Sequence, residues 1–321
     1  MAFTDDELKQ YNDDGWVVKE NIFTDSDMLP IKKAITDIIS TATKDLMAEG
    51  KLDKDFADES FETRLAKICS YNPEAGDTVY AKIMGGGGGG FHGQEILDTF
   101  RHQALLDCIE QLVGKEIIAS SVYRIRPKRP SHGHGEVPWH QDAGYIMPHC
   151  GKYLIVTCWI PLVDVNIENG CLYVVPGKHD LLKHYSEGHA GFLEIPKDML
   201  PEKPIHLDMK AGSVLFMTSM TPHASFENKT DRVRWSLDLR FQNPDVPNNI
   251  GESPADYAPG RDPVTMACFP PEADFVIQSP SNPESEVRDA ATFAKFRENF
   301  ENGHVHAPGH GWSKLAERSE Q

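Results

Sequence analysis

Pro138-Trp139-His140-Gln141-Asp142-Ala143-Gly144-Tyr145 holds a His-x-Asp pair, His140 and Asp142. On a β-strand, residues two apart point to the same face. An imidazole nitrogen and a carboxylate oxygen on such a strand aim at one point, as two ligands of a single metal ion should. A third ligand must come from farther along, and the candidate is His223 in Thr221-Pro222-His223-Ala224-Ser225, 83 residues downstream. Two histidines and one carboxylate that leave coordination positions open are the set non-haem Fe(II) oxygenases use. Arg234, eleven residues after His223, is a candidate cation for an acidic co-substrate.

Outward from this stretch the sequence reads as strands. Residues 117–125 are rich in β-formers, 153–162 form a near-continuous apolar run, and 172–175, 205–209, 213–217 and 232–242 follow, separated by turns rich in Gly, Pro and Asn. Many short strands after a block of helices predict a mainly β fold, a double-sheet jelly roll with helices packed outside. Trp235, Leu237, Leu239 and Phe241 alternate with Ser236, Asp238 and Arg240, which predicts a half-buried strand. A second His-x-Asp pair, His206 and Asp208, competes for the metal. With the pair and the distal histidine on opposite sheets, several strands must intervene. His140 to His223 leaves room for about four, His206 to His223 for one, so His206 and Asp208 are assigned to an ordinary strand surface.

His140-x-Asp142, His223 and Arg234 resemble the iron and 2-oxoglutarate ligands of the phytanoyl-CoA dioxygenase family. Residues 169–179, Asn-Gly-Cys-Leu-Tyr-Val-Val-Pro-Gly-Lys-His, resemble that family's Asn-Gly-x-Leu-x-x-x-Pro-Gly-Ser-His segment, with Lys178 in place of Ser. Residues 210–216 resemble its glycine-turn strand, and the likeness runs from Thr4 to Gln242. The resemblance implies a double-stranded β-helix of the cupin-like kind. It also implies an enzyme that uses Fe(II), 2-oxoglutarate and dioxygen to oxidise an unactivated C–H bond, releasing succinate and carbon dioxide. It selects Arg234 over its neighbour Arg232 as the co-substrate anchor, with Ser225 assisting and Trp159 lining the same pocket. A guanidinium suits that task because its fork binds a carboxylate through two parallel hydrogen bonds.

N-terminal to the strands the chain is helical. Thr4 and Glu7 read as a capping box for a short helix ending near Gly15, followed by a strand at 16–18. A second helix is expected from Thr24 to Gly50, with Pro30 in its first turn and Leu29, Ile31, Ile35, Ile38 and Ile39 as its buried stripe. A third carries Phe61, Leu65 and Ile68, and another spans 94–113. The six glycines 85–90 lack the Lys and Ser or Thr of a phosphate loop and read as a connector. After Asn243 the chain is expected to run irregularly to 285, as a lid over the site, with one more helix at 286–300. The whole is read as one oxygenase domain, with a mainly helical N-terminal region over residues 1–115, a jelly-roll core over 116–242 and a C-terminal region over 243–321.

Thirty-two Lys and Arg against 49 Asp and Glu give a net charge of −17, which disfavours nucleic acid and anionic membranes as partners. No apolar run approaches the roughly 20 residues that span a bilayer, no secretory signal or peroxisomal Ser-Lys-Leu ending is visible, and the location read is cytoplasmic. The six scattered cysteines suggest neither a zinc site nor a disulfide framework, and Cys158 and Cys171 read as small core residues. The close pairs His132/His134 and His304/His306 read as solvated loops, and His179 as a structural hydrogen-bonding residue. Arg124 and Arg126 share a strand face and, with Tyr145, are candidate contacts for a small-molecule substrate bearing an acidic group. The rival readings are a cupin-like protein that binds metal and ligand without turnover, and an oxygen-independent metalloenzyme on the same barrel.

Overall fold

The structure, a computed structural model, describes residues 2–85, 91–130, 135–146, 151–186, 192–246, 274–303 and 312–318. The chain opens with α1 (Asp5–Asp14), capped as the sequence predicts. Thr4 Oγ1 accepts from the Glu7 amide, Glu7 returns its carboxylate to the Thr4 amide, and Gly15 ends the helix in the left-handed region at φ +78. Strand β1 (Trp16–Lys19) follows. A second capping box, Thr24 with Asp27, starts α2 (Asp25–Ala48). Pro30 lies in the second turn rather than the first, at the sixth helical residue. Leu29 is 63% exposed: at 100° per residue it stands on the far side from Ile31, and the buried stripe runs Met28, Ile31, Ile35, Ile39, Ala42 and Leu46.

Two shorter helices, α3 (Arg64–Tyr71) and α4 (Pro73–Met84), then pack together. The single helix expected over 94–113 is two, α5 (Gln94–Phe100) and α6 (Gln103–Val113). The break falls at Arg101 and His102, where His102 turns extended. Its ring packs on Phe23 at 4.4 Å between centroids, while Arg101 reaches the carbonyls of Ile277 and Val287. Tertiary contacts thus override the local helical pattern.

The remaining elements are β2 (Ile117–Ser120), β3 (Arg124–Lys128), β4 (Val137–His140), β5 (Ile155–Pro161), β6 (Leu172–Val174), β7 (Ile205–Leu207), β8 (Val214–Thr218), β9 (His223–Ser225), β10 (Arg234–Gln242), β11 (Asp274–Gln278) and α7 (Ala290–Gly303). Among the described residues they form two antiparallel sheets, the double-stranded β-helix architecture. The major sheet runs β1-β8-β5-β10-β2-β11 with β3 also on β10, and the minor sheet runs β4-β9-β6-β7. Two expectations are corrected. Residues 117–125 belong to two strands, not one, and 243–285 is not wholly irregular, because β11 adds an edge strand to β2. The glycines 86–90, the histidines 132, 134, 304 and 306, and the expected lid over 247–273 lie outside the described residues.

One apolar cluster joins the helices to the outer face of the major sheet, including Ile35, Ile39, Leu65, Phe100, Trp235, Leu237, Leu239 and Phe241. A smaller one, with Trp16, Trp159, Leu172, Val174, Leu215 and Met217, fills the space between the sheets. All nine residues of β10 are buried. The half-buried reading of this strand is therefore corrected: its polar face looks not to water but into the space between the sheets.

Candidate active site

His140 ends β4 and His223 begins β9, and the two are direct cross-strand partners in the minor sheet. The expectation of opposite sheets is corrected by this pairing, although four strands, β5 to β8, do intervene in the chain. The rings lie 4.1 Å apart between centroids. Asp142 follows in a 3-10 turn (Asp142–Gly144), and one ligand atom from each of the three residues falls within 4.8 Å of the others.

Each of these side chains is aimed by a neighbour. His140 Nδ1 lies 2.9 Å from the Pro138 carbonyl and His223 Nδ1 3.0 Å from the Thr221 carbonyl. A carbonyl only accepts, so both Nδ1 atoms carry the proton and both Nε2 lone pairs face the cavity. Asp142 Oδ2 accepts from Thr157 Oγ1 at 2.6 Å and from Arg240 Nε and Nη2 at 3.2 and 3.0 Å. Oδ1 is left for the histidines, 3.8 Å from His140 Nε2. Burial works to raise the Asp142 carboxyl, but Arg240 foremost, then the two histidines and Thr157, hold it well below the usual carboxylate range. Burial, then the neighbouring His223, holds His140 well below the usual histidine range. An ionised carboxylate and a neutral imidazole are the forms that bind a metal, so the donor set fits Fe(II).

Between Asp142 and the strand end, Gln141 points the other way. Its side chain donates to the carbonyls of Asp180 and Met220 and accepts from Leu182 N, while its amide donates to His184 Nε2 at 2.9 Å. Trp312 Nε1 donates to the Gly144 carbonyl at 2.9 Å and its ring lies against His184. The turn that carries Asp142 is thus held from behind by the C-terminal segment.

The cavity beside the three residues is lined by Arg126, Thr157, Trp159, Leu172, Met217, Ser225, Arg234, Asp238 and Arg240 among others. Arg234 is 2% exposed. Its Nη1 donates to Ser236 Oγ at 2.6 Å and its guanidinium carbon lies 5.3 Å from the Trp159 ring centre. Its Nε is buried with no hydrogen-bond partner among the described residues, an unsatisfied donor on a buried cation. Burial brings the guanidinium down to about 10, with Asp238 opposing and Arg126 adding to the effect, so it is charged at neutral pH. Arg232, by contrast, is exposed and precedes β10, within 3.7 Å of Glu62 and Asp231.

Other expected residues are more widely placed. Arg126 lines the cavity and pairs with Asp238. Arg124 donates to the Tyr123 carbonyl, and burial with Arg126, Arg297 and Arg240 brings it down to about 9. The Tyr145 ring is 5.8 Å from that of His140, and its hydroxyl accepts from Leu193 N. His206 and Asp208 are exposed on and beside β7, and His179 bonds the Pro176 carbonyl at 2.8 Å. Cys158 and Cys171 are fully buried. Sequence reasoning missed Arg240, Thr157 and Gln141, and noted Lys128 only as a basic neighbour of Arg124 and Arg126. For Arg240 a signal existed, since it shares the strand face of Arg234.

A family model described as Phytanoyl-CoA dioxygenase (PhyH) matches residues 11–236. The phytanoyl-CoA dioxygenase of Arabidopsis thaliana is 24% identical over 254 residues, 74% of this chain and 88% of that one. The peroxisomal phytanoyl-CoA dioxygenase of Homo sapiens is 25% identical over 259 residues, 76% of this chain and 70% of that one. Among solved structures, the non-heme monooxygenase ThoJ in its apo form matches with a TM-score of 0.52 at 17% identity, covering 92% of this chain and 95% of that one, a likeness of fold.

Proposed function

The chain belongs to the phytanoyl-CoA dioxygenase family, and from that premise we propose that it hydroxylates an unactivated C–H bond of a small molecule, with release of succinate and carbon dioxide. It is an oxidoreductase that uses Fe(II), 2-oxoglutarate and dioxygen. One observation carries the proposal: a buried two-histidine, one-carboxylate set opens on the same cavity as a buried arginine whose Nε has no partner among the described residues. A metal site and an anion site side by side suit a keto acid that reaches both.

In this reading His140, Asp142 and His223 would hold the iron, which, when bound, would supply the oxidising power together with dioxygen and the keto acid. Everything else falls to the protein. The Pro138 and Thr221 carbonyls fix both imidazoles in one tautomer. Arg240 and Thr157 occupy one oxygen of Asp142 and so present the other. Arg234, with Trp159 against it and Ser225 on the wall of the same cavity, would take the keto acid's distal carboxylate. Leu172, Met217 and Ala224 close the cavity with apolar surface and limit water. With iron bound, Asp142 would serve as a carboxylate ligand where a halogenase would need a halide, which favours oxygen insertion over halogenation. Arg126 on the cavity wall, with Arg124 on the same strand face, favours a substrate bearing an acidic group. The reading takes the chain as one oxygenase domain, supported by an apolar core that runs from α1 through the major sheet to α7. Among the described residues no helix is long and apolar enough to cross a membrane.

The test is succinate formation by the iron-loaded protein given 2-oxoglutarate, with mass spectrometry of products made under labelled dioxygen. One labelled oxygen in the product is expected, and none with Asp142→Ala, whereas His206→Ala retains turnover. Turnover of substrate without dioxygen, or a chlorinated product, would overturn the reading.

A further inference from the structure

Lys128 and Arg234 face each other directly as cross-strand partners on β3 and β10. Like charges so placed repel, and both residues are buried, at 4% and 2% exposure. The Lys128 stem runs past Gly170, where the backbone is at φ +79 and a Cβ would come within 2.7 Å of the lysine Cδ. Its amino group donates to the carbonyls of Ser225, at 3.2 Å, and Phe226. Asn228 Nδ2 holds the Lys128 carbonyl at 2.9 Å. Lys128 therefore grips the end of β9 from behind, at Ser225, which lines the same cavity as Arg234.

A neutral donor would tie two carbonyls equally well. Placing a second basic group opposite a buried arginine opposes folding, and an anion arriving at that arginine offsets the cost. We propose that Lys128 is a positioning residue of this anion site: it fixes the backbone that presents Ser225 and adds positive charge behind Arg234 for the co-substrate carboxylate farther from the metal. The proposal rests on reading the cavity as a 2-oxoglutarate site. Burial first, then Arg234, brings the lysine amine down to about 6, with Arg126 against its charge and Glu136 for it. A carboxylate on Arg234 offsets the part of that lowering that Arg234 causes, so binding of the dicarboxylate moves the amine back towards its charged form.

Calorimetry on the iron-loaded protein without dioxygen tests this with two probes, 2-oxoglutarate and 2-oxobutanoate, which lacks the distal carboxylate. The wild-type protein should prefer the dicarboxylate. Lys128→Met should lose about tenfold in affinity for 2-oxoglutarate and retain its affinity for 2-oxobutanoate. Lys128→Gln, which keeps a donor without a charge, should fall between them and serves if the Met variant does not fold. Equal loss of both probes would assign Lys128 a merely structural tie, and full retention of the preference would deny it any role; either overturns the proposal. A wild-type protein that shows no preference for the dicarboxylate would overturn the reading of Arg234 itself.

Discussion

Arg240 and Asp142 are 5% and 6% exposed at their side chains and meet through two nitrogens on one oxygen. Removing one member of a buried pair leaves the other charge uncompensated, at a cost of roughly 3–5 kcal/mol. Arg240→Met should destabilise the protein by that order in urea titrations and weaken metal binding, because Oδ2 is freed. Adding Asp142→Asn should recover some of the stability but none of the metal affinity. Lys128 gives a pH-dependent prediction. Its amine sits at about 6 in the folded, ligand-free protein and near 10.4 when unfolded. Between those values the unfolded chain binds more protons, so this residue's contribution to stability rises with pH, by at most about 1.4 kcal/mol per unit. Urea titrations at about pH 6.5 and about pH 8.5 should show wild type gaining on Lys128→Met; parallel changes would contradict it. At this scale the His140, Asp142 and His223 cluster is marked in the sequence by residue type and spacing, whereas the choice of Arg234 over Arg232 comes from the family resemblance. Arg240 carries one signal, the strand face it shares with Arg234, but an arginine alternating with core residues reads as a solvated face until the second sheet is known to cover it.

Gly15 shows how an element reaches the site. Its carbonyl accepts from Thr218 N at 2.9 Å and Thr221 Oγ1 at 2.6 Å, and the Thr221 carbonyl accepts from His223 Nδ1. A Cβ at Gly15 would stand 3.0 Å from Thr221 Oγ1 on a backbone at φ +78. Gly15→Ala should cost about 1–2 kcal/mol in thermal unfolding and also weaken metal binding, read by titration of the folded variant. An unchanged metal affinity would show that the link ends at Thr221. The elements with their own local signals, α1 with its capping box and β10 with its alternation, are legible in the sequence. The break between α5 and α6 is not, because Phe23 and the carbonyls that draw His102 and Arg101 away are distant in the chain. Nor is β9: three residues are too few for a period, and its pairing with β4 and β6 defines it.

Across the whole molecule the candidate metal site spans both sheets. His140 and His223 belong to the minor sheet, while Asp142 is clamped by Thr157 and Arg240 of the major one. A metal bound there ties the layers together and binds only the folded chain. At a hundredfold excess over its dissociation constant, it should add roughly 2.7 kcal/mol of stability. The melting temperature should rise by several degrees with Fe(II) or an inert divalent stand-in, fall back with chelator, and stay fixed in Asp142→Ala. β10 also bears on how the enzyme can diversify. Of its even-numbered residues Arg234, Asp238 and Arg240 line the cavity, and its odd-numbered ones serve the core, so gaining or losing a single residue between Arg234 and Gln242 would swap the two sets at a stroke. Such a strand tolerates spelling changes but not frame changes, and descent with new substrates is expected to leave its length untouched while loops at the strand ends grow, shrink and are rewritten.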